Sequence, residues 1–308
     1  MLPIRFPDFR PVAFLVYKKG ALKPRSYEEY ERHLVIHAQR LHGLQITAID
    51  RRSVAALFTE LAASSGPNLA NSVRASLSAF FGWAMREGLA DANPIIGTNK
   101  AITKGDRDRV LTDDELGQIW NGLGDDAYGD IVRLLALTGQ RRDEIGSLRW
   151  SEVNLDKALI SLPAERTKNS RPHDIPLSPA AVSILKARPH FAELVFTSGA
   201  NGFLGWSNYK LTLDARIARK GAVSPWRLHD LRRTVSTRMH DELGIAPHIV
   251  EAVLNHVSGH RAGVAGVYNR AAYAKEKAVA LARWAEHLAS IVGGEPSKVV
   301  PISKGRAR

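Results

Sequence analysis

Apolar positions in this chain follow helical spacing over most of its length and strand spacing around a single turn. The first clear run is SYEEYERHLVIHAQRL, where Ser26 and Glu29 form a capping-box pattern ahead of an apolar-periodic stretch, so a helix is predicted. DRRSVAALFTELAA predicts a second. The third and longest, NLANSVRASLSAFFGWAMREGL, brings Val73, Leu77, Phe80 and Ala84 onto one face and is stopped by Asn93-Pro94. Further on, Thr112 with Glu115 marks another capping box, and IVRLLALTG reads as a buried helix ending at Gly139 in a left-handed stop. ALISLP and HDIPLS flank the polar turn AERTKNSRP, which predicts a β-hairpin. Ser178-Pro179 opens another helix, ELVFT predicts a short strand, and from Tyr209 onward the pattern is helical with glycine breaks.

This pattern divides the chain into an irregular segment 1–25, a helical region 26–96, a linker 97–110, a larger domain 111–292 and a flexible basic tail 293–308. The expected fold class is mainly α with a small β-sheet: an all-helical N-terminal domain followed by an α+β domain. The linker carries Lys100, Lys104, Arg107 and Arg109, yet Asp106 and Asp108 lie among them. It could follow a phosphate backbone or stand as a solvated loop. The C-terminal helix KAVALARWAEHLASIV has an apolar face that either its own domain or a neighbouring protomer could cover.

Composition narrows the class of protein. Apolar residues make up 44% and charged residues 24% of 308 positions, as in soluble globular proteins of two domains. No apolar run is long enough to span a membrane, and the N-terminal apolar patch is too short and proline-broken for a signal peptide. The chain has no cysteine, which excludes disulfides, thiol catalysis and cysteine metal sites and suits a reducing cytoplasm. A net charge of +12 points to a polyanionic partner, most commonly nucleic acid, without specifying sequence preference or catalysis.

Several short stretches could carry chemistry. In PWRLHDLRRTVSTRMHDEL, the residues Leu228, Leu231, Val235 and Met239 form a buried stripe, and His229 and Arg232 stand three apart on its flank. Taken alone, such a pair is usually an ordinary surface feature. In LTGQRRDEIGSLRW, Arg141 falls at the turn into a helix N-terminus, a place suited to a phosphate oxygen. Lys168 occupies the hairpin tip, and His256 closes the helix VEAVLNH. In LNHVSGHRAGVAGVYNR, Gly259, Gly263 and Gly266 predict a mobile tether carrying Tyr268.

Together these residues resemble the tyrosine recombinase, or phage-type integrase, family. Thr138 to Arg141 with Glu144, the lysine of T-K-N, H-D-L-R-R, L-N-H and then a tyrosine occur in that family's order. GVAGVYNR and RTKN are closest to prophage and genomic-island integrases. The resemblance spans roughly residues 107–290 and makes the helical region similar to a core-binding domain. It implies that Arg141, Lys168, His229, Arg232 and His256 surround a scissile DNA phosphate, with Glu144 in support and Tyr268 as nucleophile. Tyr273 is the competing phenol, expected within the following helix. A 3′-phosphotyrosyl intermediate would form without metal, ATP or any cofactor. The implied partners are double-stranded DNA attachment sites, further copies in a homotetramer, and an accessory DNA-bending or excision factor. The implied setting is the bacterial cytoplasm, in association with the nucleoid.

Two departures from the family pattern stand out. The first 25 residues are too few for the arm-binding domain that many such integrases carry, so either simple core sites or a truncated prophage gene is expected. L-N-H also replaces the usual L-G-H. Competing readings are a type IB topoisomerase, a catalytically silent DNA-binding remnant, and a metal-dependent nuclease using His229, Asp230, His256 and His260. The last lacks an accompanying acidic cluster and a common ligand spacing.

Overall fold

Among the described residues, helices form where the apolar stripe is long, and a sheet forms where that stripe alternates. The computed structural model describes residues 8–9, 11–103, 105, 107–197, 199, 201–219, 221, 223–256 and 273–293. The chain divides between Asp106 and Arg107 into two compact units.

The first unit contains α1 (Val12–Lys19), α2 (Pro24–Glu31), α3 (Arg51–Ser65) and α4 (Pro67–Arg86). Its core gathers Phe9, Phe14, Leu34, Leu77, Phe80 and Phe81, with Phe9 meeting Phe80 edge-on at 4.7 Å. Two expectations are corrected here. Residues 12–19 lie inside the segment expected to be irregular, yet they are helical because Phe14 and Leu15 find a buried face. The next helix begins at Pro24 rather than at Ser26, since proline at the first position is preset for helix and has no N–H to leave unpaired. A π-helical turn, Arg32–His37, continues α2, and its His33 Nδ1 lies 2.9 Å from the Ser76 hydroxyl on α4.

The second unit comprises α5 (Asp113–Gly122), α6 (Ala127–Thr138), α7 (Arg142–Gly146), β1 (Val153–Asn154), β2 (Leu159–Leu162), β3 (His173–Pro176), α8 (Pro179–Lys186), α9 (Trp206–Ala218), α10 (Leu228–Asp241), α11 (Pro247–Leu254) and α12 (Ala274–Gly293). The Thr112–Glu115 capping box opens α5 as predicted. The hairpin is antiparallel, with Ile160 opposite Ile175 and Leu162 opposite His173, and β1 adds a strand that the sequence pattern did not announce. ELVFT contributes a single bridge, Leu194 to Arg149, rather than a strand. The fold is therefore mainly α with a small three-stranded sheet.

The linker is shorter than expected at its C-terminal end. Arg107 grips the Asp230 carboxylate and the Pro225 carbonyl, and Arg109 bonds Glu115 and the Ser224 carbonyl, so both belong to the second unit. On α12, Ala280, Leu281, Trp284 and Leu288 are buried in the core of their own unit, and the Trp284 indole donates to the Ala136 carbonyl at 2.7 Å. Among the described residues, no helix is long and apolar enough to cross a membrane.

Candidate active site

The C-terminal end of α11 organises the site. A helix leaves its last carbonyls without intrahelical partners, and here those oxygens are taken by side chains from three other elements. Gln140 donates to the Val253 carbonyl at 3.0 Å, Arg232 to the Leu254 carbonyl at 2.5 Å, and Arg141 to the Asn255 carbonyl at 3.4 Å. Asn169 adds a second bond to the Asn255 carbonyl, at 2.9 Å. The helix stops because Asn255 turns left-handed at φ 49°, which lets the His256 amide reach back to the Glu251 carbonyl.

Arg232 is 3% exposed, and its other arm donates to the Gly139 carbonyl at 2.7 Å. Gly139 can offer that oxygen because it closes α6 at φ 66°; a Cβ there would come within 2.8 Å of Leu254. Burial, and then the neighbouring Arg141, bring Arg232 down to about 9, still charged at neutral pH. Arg141 precedes α7, and its guanidinium meets Glu144 at 2.9 Å. The same carboxylate also accepts the Arg141 amide at 3.1 Å. Glu144 thus occupies the helix start on which the sequence argument placed an anion, and the guanidinium is what α7 presents.

His229 sits in the first turn of α10. That turn is anchored by Asp230, 0% exposed, which accepts the Arg227 amide and bonds Arg107 and Arg233. Burial, then Arg233 and Arg232, lower the His229 pKa; burial, then Arg232 and Arg141, push His256 down to about 4. Both imidazoles keep exposed surface and stand beside the cluster of guanidiniums. Both are neutral at pH 7. Behind them, buried His173 donates Nε2 to Gln140 at 3.2 Å and to the Val253 carbonyl at 3.1 Å; its pKa falls to about 3, chiefly by burial.

A cleft of about 520 Å³ is lined by Arg141, Lys168 and His229, with Arg142, Trp206, Lys210 and Trp226 among its other walls. Lys168 makes no hydrogen bond or ion pair among the described residues. Arg232 and His256 adjoin this group through the α11 end. Of the sequence-predicted residues, Arg141, Glu144, Lys168, His229, Arg232 and His256 therefore gather in one place, while Tyr268 lies outside the described residues, as does His260. Tyr273 precedes α12 rather than standing within it, at φ 48°, with its ring 5.4 Å from that of His248. Asp230 is committed to arginines, and no group of three metal-ligating side chains occurs among the described residues. Gln140, Asn169, His173 and Asn255 join the site without having been among the sequence-predicted residues. The two asparagines stood inside quoted motifs, and an asparagine directly after a helix is a signal of a left-handed stop.

These cationic side chains, held on one helix end and beside a cleft, form a positively charged recess. Residues 109–275 match the model of the phage integrase family, more than half of the chain, and the chain belongs to that family. Prophage integrase IntZ of Escherichia coli K12 is 29% identical over 264 residues, covering 83% of this chain and 64% of that protein. Prophage integrase IntA of the same strain is 29% identical, covering 66% and 50%. The chain thus spans about half to two thirds of the length of these relatives. In fold it is similar to a lambda integrase dimer bound to a COC′ core site, with TM-score 0.63 and 19% identity over 80% of this chain and 93% of that one. It is equally similar to the Tn1549 transposon integrase in complex with transposon right end DNA, with TM-score 0.63 and 15% identity over 80% and 90%.

Proposed function

We propose that the chain is a site-specific DNA recombinase that cuts and rejoins strands through a 3′-phosphotyrosyl intermediate, with Tyr268 as nucleophile. The observation that carries this reading is the Arg141–Arg232 pair: two guanidiniums fastened to adjacent carbonyls of one helix end, those of Asn255 and Leu254, with the Glu144 carboxylate on Arg141. Phosphoryl transfer needs positioning and fixed positive charge around nonbridging oxygens, and two arginines supply both without a metal or cofactor. As the phenolic oxygen bonds phosphorus, its proton passes to neutral His229. The bond to the 5′ oxygen breaks, and Lys168 protonates that leaving group. His256 hydrogen-bonds the phosphate or supports Tyr268. The ester is exchanged rather than hydrolysed, so religation needs no ATP.

The partners in this reading are double-stranded attachment sites and further copies of the chain. Lambda integrase is known as a tetramer bound to a Holliday junction, and four protomers here would each cut one strand. An accessory bending or excision factor and a cytoplasmic, nucleoid-associated setting belong to the same proposal. Tyr273, packed beside His248 and the core, is poorly suited to swing toward a phosphate. The test is a nicked suicide duplex. An SDS-stable adduct is expected in EDTA, lost in Tyr268→Phe and kept in Tyr273→Phe. Binding without an adduct would instead identify a silent DNA-binding remnant.

A further inference from the structure

Lys168 has a long, flexible side chain and no partner among the described residues, so its reach is set by where its backbone is held. That backbone is the β2–β3 tip. Thr167 closes the turn on itself, accepting the Arg171 amide at 3.0 Å and donating to the Arg171 carbonyl at 2.7 Å. The next residue after Lys168 ties the closed turn to α11. Asn169 Nδ2 donates to the Asn255 carbonyl and to the Asn255 side-chain oxygen at 2.9 and 3.0 Å. Asn255 Nδ2 returns a bond to Asn169 Oδ1 at 3.3 Å and reaches the Arg171 carbonyl at 3.5 Å.

The backbone at position 255 does not call for this side chain. At φ 49° and ψ 45°, glycine fits with no steric cost, and asparagine is merely among the better tolerated alternatives. Yet Asn255 is only 5% exposed, and both ends of its amide are engaged with the turn that bears Lys168. A buried amide fully occupied by one neighbour fixes that neighbour's position.

We infer that Asn169 and Asn255 are positioning residues, a reciprocal amide clamp that holds Lys168 where its ammonium can protonate the departing 5′ oxygen. The inference rests on the recombinase reading above. The clamp joins the lysine's turn to the same helix end that carries both arginines and His256, so acid and phosphate holders share one frame.

The test uses the full chain and a duplex recovered from a randomised pool by SDS-stable capture on the wild-type protein. That duplex is made with oxygen or with sulfur at the scissile 5′ bridging position. When the phosphorus–sulfur bond breaks, the thiolate leaves with its electron pair and needs no proton. Asn255→Gly keeps the left-handed backbone and removes the amide; Asn169→Ala removes the other partner, and Lys168→Ala is the benchmark. For either asparagine variant, cleavage of the oxygen duplex is expected to fall about ten- to hundredfold, as when a catalytic group is misplaced by about 1 Å. On the sulfur duplex the deficit shrinks to about twofold or less, and the double variant is no worse than either single one. Wild-type cleavage of the oxygen duplex by Asn255→Gly and Asn169→Ala would overturn the clamp. So would a deficit that persists undiminished on sulfur, because misfolding or loss of the arginine site is not rescued by a better leaving group. If the wild-type chain captures no duplex at all, the recombinase reading itself fails and the clamp falls with it.

Discussion

Replacing Glu144 by glutamine removes the carboxylate that pairs with Arg141 while leaving the shape of the site intact. Glu144 holds the Arg141 guanidinium at 2.9 Å and the Arg141 amide at 3.1 Å. It also opposes the forces that depress Arg232. Losing a charge-assisted bond of this kind costs about 1.5–3 kcal/mol. For a domain of this size, that lowers Tm by about 3–12 °C. The same change should turn the site into a better anion receptor, because a carboxylate about 4 Å from a bound anion opposes it by up to about 4 kcal/mol at an effective dielectric of 20. At sulfate a hundredfold above its dissociation constant, linkage returns about 2.7 kcal/mol, which offsets most of the loss. The assay is thermal unfolding in sulfate against chloride at constant ionic strength. Tryptophan fluorescence reports mainly on the second unit, since five of the six tryptophans lie there. Glu144→Gln is expected to gain more from sulfate than wild type, and Arg141→Ala/Glu144→Gln to lose that excess. Equal gains in wild type and Glu144→Gln would refute the arginine pair as an anion site, since general salting-out raises both alike.

Other outcomes follow from the same geometry. Trp284→Ala removes a buried ring and its bond to Ala136, and should cost about 3–5 kcal/mol in denaturant melts while leaving the proposed catalytic residues unchanged. Gly139→Ala forces a Cβ into Leu254 and Val235 at a positive φ; adduct formation should fall with stability, because the Gly139 carbonyl holds Arg232. His173 has a folded-state pKa of about 3. Below pH ~6.5 the unfolded chain takes up a proton that the folded chain refuses, so its contribution is complete above that pH and declines as pH falls toward 3. His173→Asn should flatten that part of the stability profile. Cleavage, by contrast, should persist below the ordinary histidine pKa because His229 is lowered; an activity midpoint above pH 6.5 would contradict its assignment as proton acceptor.

Much of this was legible in the residue order, for physical reasons that differ by element. The hairpin and the capped start of α5 were readable because alternation and capping are local. Arg141, His229 and Arg232 were readable through motif order, but their convergence on one helix end was not. The Arg232 and Arg141 bonds to α11 cross 22 and 114 residues, and no local pattern encodes such pairings. Helix α1 was missed because its stripe is short and proline-flanked, and only tertiary burial of Phe14 and Leu15 makes it stable. Burial of His173 also escaped notice, since a histidine opening a strand looks like any polar turn residue until its ring is seen against Gln140 and Val253.

The end of α11 works as a jig. Arg141, Arg232, Gln140 and Asn169 are all fastened to three consecutive carbonyls, so a slip of one residue in that helix would displace every one of them at once. Partial activity should therefore be rare among substitutions that shift this helix: the side chains fastened to it keep their mutual spacing or lose it together. Conversely, a bound phosphate that immobilises the arginines should slow hydrogen exchange at the amides of the helix they grip.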